Sequence, residues 1–246
     1  MRKKTSLSAA AGDIVTASMS ATVRVLVHPA QNRHLNMAVD EALLRVCTRP
    51  VLRFYRWSEP DAVSIGYFQA HADVPAGRPF VRRYTGGGLV DHTGDFTYSV
   101  ILPKSHPLTV AGTSSSYRLI HEAVAQGLRR EGCAVRLAPA DDAVDSNACF
   151  QKAVLYDVVA ADHDGQARRE KVAGAAQRRT REGCLHQGSI LLNGFDFKSL
   201  SYSIGEYLIA LLGTDGEEGA LSAEEQTRAQ QLTVERYATE LWNHSR

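Results

Sequence analysis

The chain of 246 residues is 44% hydrophobic and 22% charged, which is typical of a globular protein and excludes a disordered or fibrous one. Its formal net charge of +1 at pH 7 provides no global field for nucleic acid or an anionic membrane, so we expect neither as a partner. No segment approaches the about 18 consecutive apolar residues that a membrane-spanning helix needs.

The beginning of the chain and its cysteines bear on organisation and compartment. Residues 1–21 are rich in serine and alanine, and Asp13 interrupts the one candidate for a signal-peptide core. We predict a flexible leader over 1–21 and a single domain over 22–246. Four cysteines lie far apart without a CxxC pair, which argues against a disulfide framework and a zinc knuckle, so we predict no metal site and a cytoplasmic protein. They are Cys47, Cys133, Cys149 and Cys184.

Hydrophobic periodicity predicts one helix and four strands in the first part of the chain. Alternation of apolar residues predicts a strand over 23–28, and apolar residues at helical spacing predict a helix over 34–47. Two β-rich runs at 51–57 and 62–68 are separated by turn residues, and a further strand over 95–103 stops at Pro103.

The second half of the chain predicts three helices and three more strands. A helix over 113–132 has serines that can cap its start, Gly132 at its end, and one apolar face. Residues 156–162 and 169–177 flank Asp164-Gly165, which predicts a hairpin, with 184–192 as its third strand. The apolar face comprises Tyr117, Ile120, Val124 and Leu128.

Two further helices are predicted near the end of the chain. The first covers 197–213, and the spacing of Ser222 and Glu225 predicts a capping box that opens the second. We expect Val234, Tyr237 and Leu241 to form the inner face of that second helix. The mixed order of strands and helices predicts an α+β fold with helices packed on a large mixed, mostly antiparallel sheet.

The most informative segment for chemistry is RRYTGGGLVDHTGDFTYS at 82–99. Three successive glycines let backbone N–H groups approach a ligand closely, although a triple glycine alone is equally consistent with a plain turn. The segment is neither a dinucleotide fingerprint nor a Walker loop. The arginines before it and His92 after it favour a binding loop.

A second candidate is Lys171, which precedes the small residues 173–176 on the outgoing arm of the predicted hairpin. A lysine beside an apolar slot can polarise a carbonyl group or stabilise a thiolate. Most lysines are solvated surface residues, so Lys171 alone does not identify a site.

Several motifs in a fixed order resemble a known family. NMAVDEALL, LRFYRWSEPDAVSIGYFQ, RRYTGGGLVDHTGDFTYS and KVAGAAQRRTREGCLHQGSILL resemble the catalytic domain that lipoate-protein ligases, octanoyltransferases and biotin-protein ligases share, from about residue 23 to residue 212. This resemblance implies a class II biotin/lipoyl ligase-like fold with an acyl tunnel and Lys171 facing the acyl carbonyl. It implies pocket-lining roles for Arg83, Gly86, Gly87, Gly88, His92, Gly174, Ala175 and Gln177.

The resemblance leaves two ways of activating the acyl group. Ligases form an acyl-adenylate from free lipoate with ATP and magnesium, whereas octanoyltransferases use a carrier-protein thioester, require no cofactor and pass the acyl group through a cysteine. The segment ACF before YDVVA resembles the cysteine-bearing segment of the LipM-type octanoyltransferases, so we predict Cys149 as the nucleophile, with Lys171 lowering its pKa. An isolated cysteine is more often a buried small hydrophobe, and we assign that role to the other three cysteines.

The predicted activity is transfer of an octanoyl or lipoyl group from acyl carrier protein to a lysine of a lipoyl-accepting protein, such as a glycine cleavage H protein or a dehydrogenase lipoyl domain. The uninterrupted Gly-Gly-Gly keeps an ATP-dependent lipoate-protein ligase as the alternative, and a non-catalytic lipoate or acyl-binding module is the second alternative. A basic cluster opposed only by Glu170 is a candidate docking surface for acidic partners, or else a solvated strand edge. The cluster contains Arg168, Arg169, Lys171, Arg178, Arg179 and Arg181.

Overall fold

The computed structural model describes residues 21–140, 153–161, 170–191 and 194–246. The helices of these ranges are α1 (Arg33–Arg45), α2 (Pro107–Val110), α3 (Thr113–Arg130), α4 (Phe197–Leu212), α5 (Ala223–Leu232) and α6 (Glu240–Asn243). A 3-10 turn spans His71–Asp73, and a π-helical turn spans Thr233–Tyr237. The strands are β1 (Val23–Val27), β2 (Val51–Tyr55), β3 (Val63–Ile65), β4 (Phe80–Arg82), β5 (Val90–Asp91), β6 (Phe96–Pro103), β7 (Val135–Leu137), β8 (Val158–Ala160), β9 (Lys171–Arg179), β10 (Gly183–Ile190) and β11 (Gly216–Glu218).

Eight strands form a mixed sheet in the order β11-β1-β2-β6-β10-β9-β8-β7. Only β1 pairs in parallel, with β2 and β11, and the other neighbours are antiparallel. The predicted hairpin partners β8 and β9 pair, and β10 follows them in the sheet, as expected from the sequence. A separate three-stranded sheet has the order β4-β3-β5, so the two β-rich runs at 51–57 and 62–68 lie in different sheets.

The alternation of side chains along the strands divides the core between the two faces of the large sheet. On one face, Phe54, Tyr98 and Val100 belong to a cluster with the apolar residues of α3 and α4. On the other face, Tyr55 and Ile101 belong to a cluster with α1 and α5. The three-stranded sheet also contributes to this second cluster, which places it beside the large sheet on the α1 side.

Helix ends follow local capping chemistry in most cases. Asn32 accepts a hydrogen bond from the backbone N–H of Leu35 at the start of α1, and Ser222 and Glu225 form the predicted capping box of α5. The predicted serine cap of α3 is wrong, because α3 begins after Gly112, which makes no side-chain cap. Gly132 ends α3 with a φ of 87°, as the sequence predicted.

The predicted inner face of the last helix is wrong in two of its three positions. Tyr237 is fully buried, but Val234 is 73% exposed and Leu241 is 87% exposed. The reason is that α5 ends at Leu232 and the following π-helical turn changes the phase of the chain. None of the helices in the described ranges is long and apolar enough to cross a membrane.

Candidate active site

A narrow cleft of about 390 Å³, including its open mouth, lies between the large sheet and the three-stranded sheet. The large sheet provides residues of β2, β6, β9 and β10, and α1 provides Met37. The three-stranded sheet and its glycine loop provide the opposite wall. Five of the residues predicted for the site line this cleft: Arg83, Gly87, His92, Gly174 and Ala175.

The glycine loop over 86–88 lies directly against the end of β3. A Cβ atom at Gly66 would overlap the carbonyl oxygen of Gly87, so the loop can approach only because residue 66 has no side chain. Gly87 has a φ of 87°, a conformation that side chains disfavour. The triple glycine is therefore a close-packed loop with a defined backbone path.

Two successive arginines before this loop, Arg82 at the end of β4 and Arg83 directly after it, have different tasks. Arg82 is fully buried and donates to five backbone carbonyl groups, two of them in α6. Arg83 donates through Nη2 to Gly86 O at 3.0 Å and Gly88 O at 2.8 Å. Arg82 thus fixes the base of the loop to the end of the chain, and Arg83 fixes the loop itself.

A buried hydrogen-bond chain connects Arg83 to Asp95. Arg83 Nη1 donates to Ser64 Oγ at 2.7 Å, Ser64 Oγ lies 2.6 Å from His92 Nε2, and His92 Nδ1 lies 2.6 Å from Asp95 Oδ2. The ring of His92 stacks on Trp57 at a centroid distance of 3.8 Å. With both ring nitrogens hydrogen-bonded, His92 orients the loop through Ser64 and Arg83 while its ring forms part of the cleft wall.

Lys171 is buried at the start of β9 and pairs with a carboxylate that sequence analysis did not select. Its Nζ atom lies 2.8 Å from Asp157 Oδ2, and the two side chains are 3% and 0% exposed. The hydroxyl group of Tyr117 donates to Asp157 Oδ1 at 2.5 Å and accepts from the backbone N–H of Ala175 at 3.1 Å. A buried ion pair with these extra hydrogen bonds holds the ammonium group in one place.

The register of β8 and β9 shifts between Val158 and Val159, which marks an irregularity beside Lys171. The Lys171 side chain crosses the α-carbon of Gly174, where a Cβ atom would overlap Lys171 Cε. Gly174 also lines the cleft. The absence of a side chain at residue 174 therefore makes room for the ammonium group next to a residue of the cleft lining, although Lys171 itself does not line the cleft.

Asp157 is positioned by a turn with an unusual backbone. Tyr156 has a φ of 71°, the one positive φ at a non-glycine residue in the described ranges. Val154 N donates to Asp157 Oδ2 at 2.8 Å, and Tyr156 N donates to Ala138 O at 2.9 Å. These hydrogen bonds hold the turn that presents Asp157 to Lys171.

Two buried histidines lie near this ion pair. Burial lowers the pKa of His121 to about 4, although Asp157 acts in the opposite direction. Burial is the main cause that holds the pKa of His186 well below its usual value, and the nearby positive charge of Arg179 acts in the same direction. Both rings are therefore neutral at pH 7.

Residues 32–208 match the model of the lipoyl protein ligase A/B catalytic domain. The chain belongs to this family. The α+β fold class and the resemblance to lipoate-protein ligases and octanoyltransferases, both predicted from the sequence, are confirmed.

Within the described ranges, no group of three or more His, Cys, Asp or Glu side chains is arranged to hold a metal ion.

Relatives and solved structures of the family cover most of the chain. Octanoyltransferase LipM of Kyrpidia tusciae is 33% identical over 85% of this chain and 93% of its own length. Octanoyltransferase LipM of Moorella thermoacetica is 36% identical over 71% of this chain and 67% of its own length. Protein Ta0514 of T. acidophilum, solved with bound lipoic acid, is 26% identical with a TM-score of 0.73 and covers 93% of this chain and 100% of that chain. Lipoate-protein ligase A bound with ATP is 25% identical with a TM-score of 0.73 and covers 92% and 99% of the two chains.

The other predicted site residues have more varied positions. Gly86 and Gly88 contribute the carbonyl groups that Arg83 binds. Gln177 is hydrogen-bonded to Ser116 and His186 and does not line the cleft. Cys149, residues 1–20 of the predicted leader over 1–21, and Arg168 and Arg169 of the basic cluster lie outside the described residues.

Several residues that support the site from other elements were not predicted from the sequence. Asp157, Ser64 and Asp95 are polar residues within or beside strands, without a motif of their own. One signal was available for Asp157, because the predicted pairing of 156–162 with 169–177 brings it close to the strand of Lys171. The basic cluster also needs correction, since Lys171 is buried against Asp157 and does not belong to a surface.

Replacing Gly174 with alanine is expected to displace the Lys171 ammonium group and lower acyl transfer roughly 10- to 100-fold, the effect of losing one charged hydrogen bond. The measurement is the initial rate of acceptor modification at a fixed thioester concentration. Gly205→Ala is the matched control, because the nearest atom to its new Cβ is Phe54 Cε2 at an ordinary 3.6 Å. An unchanged rate for Gly174→Ala would show that the close approach of Lys171 to residue 174 has no role.

The low pKa of His121 predicts loss of stability in acid. In the unfolded chain His121 takes up a proton near pH 6.5, whereas in the folded protein it stays neutral until about pH 4. The free energy of unfolding therefore falls as the pH decreases from about 6.5 to about 4, and His121 does not change it above this window. We expect the free energy of unfolding to fall by on the order of 3 kcal/mol more than in His121→Asn, whose amide can still donate to Tyr156 O. Urea unfolding at several pH values measures this difference, with exposed His244→Asn as control. Equal pH dependence of His121→Asn and the unaltered protein would contradict it.

Proposed function

We propose that the protein transfers an octanoyl group from a carrier-protein thioester, through a thioester on Cys149, to a lysine of a lipoyl-accepting protein. The observation that carries the proposal is the buried Lys171–Asp157 pair, which holds an ammonium group directly beside Gly174, a residue that lines the cleft. The curated relatives named octanoyltransferase LipM support the acyl-transfer reaction.

The first step joins the acyl group to the enzyme. The Cys149 thiolate attacks the thioester carbonyl and forms a new C–S bond, and the carrier C–S bond breaks as the tetrahedral intermediate collapses, so that the carrier leaves as a thiolate. The Lys171 ammonium group stabilises the negative oxygen of that intermediate, because a fixed charge in a water-poor site interacts strongly with developing charge. Gly86, Gly87 and Gly88 have backbone N–H groups without a hydrogen-bond partner among the described residues, and these can contribute further donors.

The second step passes the acyl group on. The neutral amine of the acceptor lysine attacks the Cys149 thioester, the C–S bond breaks, and the nitrogen loses a proton as the amide forms. The thiolate of Cys149 is regenerated. Because the thioester already activates the acyl group, this route needs no cofactor.

The properties of the other cysteines favour Cys149 for this role. Burial raises the pKa of the Cys47 thiol to about 12, and burial also raises the pKa of Cys133 and Cys184. None of these three is prone to form a thiolate at neutral pH. In the sequence, Cys149 lies eight positions before Asp157, the partner of Lys171.

Adenylation of free lipoate is the second candidate, and a specific observation favours it. This chain has the uninterrupted Gly-Gly-Gly that is expected of ligases, and its fold matches lipoate-protein ligase A solved with ATP. In that reaction Lys171 would polarise the carboxyl group, and ATP with magnesium would supply the activation. The cytoplasmic location expected from the sequence belongs to this proposal.

The test compares two substrate mixtures with the same lipoyl-accepting domain. We expect the protein to modify this domain with octanoyl carrier protein in the absence of ATP, and to be inactive with free octanoate, ATP and magnesium. The opposite result identifies a ligase. Tight octanoate binding without modification in either mixture identifies a binding module.

A further inference from the structure

Three aromatic rings and three arginines alternate on the surface beside the glycine loop. We call this feature the arginine–aromatic ladder, and it consists of Tyr67, Tyr84, Trp242, Arg178, Arg236 and Arg246. The Arg178 guanidinium carbon lies 4.9 Å from the Tyr67 ring centre and 4.5 Å from that of Tyr84. Arg236 bridges Tyr84 and Trp242 at 5.7 and 4.8 Å, and Arg246 lies 5.1 Å from the Tyr67 ring. Each distance is within the range of a cation–π interaction.

The ladder is attached to the elements of the candidate active site. Tyr84 directly follows Arg83, and Tyr67 N donates to Thr85 O at 2.8 Å. Arg178 lies two residues after Ala176, which lines the cleft, so the two side chains are on the same side of β9. A partner that covers the ladder would therefore lie next to the mouth of the cleft.

The charge of this region is strongly unbalanced toward arginine. A second, open cleft of about 810 Å³ adjoins the ladder and is lined by Arg45, Arg179 and Arg181 as well as Arg178. The ion pairs of these arginines and of the ladder involve two carboxylates, Glu41 and Glu182. No ion pair within the described ranges includes Arg178 or Arg246. Arg179 does not add to this surface, because its guanidinium group donates to Thr109 O of α2 and Ser116 Oγ of α3.

Exposed aromatic residues and arginines are the residue types that protein interfaces favour most. Phe68, which Arg246 also overlies at 5.1 Å, is 68% exposed. Stacking between rings restricts the rotamers of an arginine, so less entropy is lost when its N–H groups bind a carboxylate. The ladder is thus a preorganised cationic surface.

We infer that the arginine–aromatic ladder docks an acidic protein domain, namely the domain that presents the acceptor lysine. Protein carboxylates suit it better than nucleic acid, because guanidinium groups already occupy ring faces of Tyr67, Tyr84 and Trp242 that bases would need for stacking. The N–H edges of the stacked guanidinium groups remain suited to binding carboxylates. This inference rests on the proposed function for the identity of the acceptor.

Binding is tested without turnover, so that the inference and the proposed function can fail separately. An unlipoylated lipoyl domain is titrated into the full chain carrying Cys149→Ala, and the dissociation constant is measured by calorimetry. Adding Arg178→Glu or Arg246→Glu is expected to weaken binding roughly 10-fold or more, and added salt should weaken the binding of the Cys149→Ala protein. Arg130→Glu is the matched control, because Arg130 also lies over a tyrosine, Tyr202, at 5.5 Å on a different surface.

Acyl transfer from octanoyl-coenzyme A supplies the second readout. The ladder variants should raise KM for the lipoyl domain while kcat at saturation changes little. Arg246→Glu changes an exposed residue and therefore guards against a folding effect of Arg178→Glu inside the stack. If both ladder variants bind the lipoyl domain as before and have an unchanged KM for it, the inference is overturned even when transfer is intact. It is also overturned if the ladder variants weaken binding of single-stranded DNA but not of the lipoyl domain. If the ladder variants weaken binding of the lipoyl domain, but the protein with Cys149 intact transfers no octanoyl group, the docking surface is supported and the proposed function is overturned.

Discussion

Cys149→Ala is expected to lower octanoyl transfer from carrier protein to acceptor by at least about 10⁴-fold, since removing a nucleophile eliminates the covalent route itself. The measurement is the rate at which the acceptor domain gains an octanoyl group, with carrier thioester as the only acyl source. Cys133→Ala is the matched control, because Cys133 is a partly buried thiol whose pKa burial raises. Cys149→Ser should retain only traces of activity, because a serine hydroxyl ionises far less readily than a thiol.

The outcome for Cys149→Ala also separates the two members of the family. A ligase needs no thiol, so full ATP-dependent modification by Cys149→Ala would exclude the transferase mechanism. Loss of both activities, with unchanged thermal unfolding, would show that Cys149 supports a step common to both.

Lys171→Met is expected to lower transfer roughly 10³-fold, the effect of removing a main donor to the tetrahedral intermediate. The same change leaves Asp157 buried without its cation, which destabilises proteins by about 3–5 kcal/mol in comparable cases. A second variant therefore combines Lys171→Met with Asp157→Asn, so that no unpaired charge remains. We expect this double variant to recover thermal stability but not activity.

The control for Lys171 is Lys198→Met, which changes an exposed lysine on α4. Both rates are measured under single-turnover conditions, where acyl-enzyme formation is observed directly. Activity in the double variant near that of the unaltered protein would mean that Lys171 has a structural role only.

Local patterns were sufficient to predict most of the fold. The helix face of Ile120, Val124 and Leu128 is fully buried in α3, because a 3.6-residue period puts all three on one side. The capping box at Ser222 is likewise a local property of four residues. The predicted inner face of the last helix was wrong, because the π-helical turn over Thr233–Tyr237 interrupts the 3.6-residue period that the prediction assumed.

The candidate site was only partly predictable, because its support comes from residues distant in sequence. Arg83 could be selected from its place before the glycines, but its contact with Ser64 depends on the packing of β3 and β4. Asp95 Oδ2 accepts from Ser189 at 2.5 Å across 94 positions of the chain. Arg82 looked equivalent to Arg83 in the sequence, but it has a structural role at α6 instead.

A covalent octanoyl group at Cys149 is the central feature of the proposed mechanism. Intact mass spectrometry of the protein after incubation with octanoyl carrier protein, without ATP or acceptor, tests this directly. We predict a mass increase of one octanoyl group that peptide mapping places on Cys149 and that disappears when the acceptor domain is added. No adduct, or an adduct on another residue that the acceptor discharges, would contradict the account.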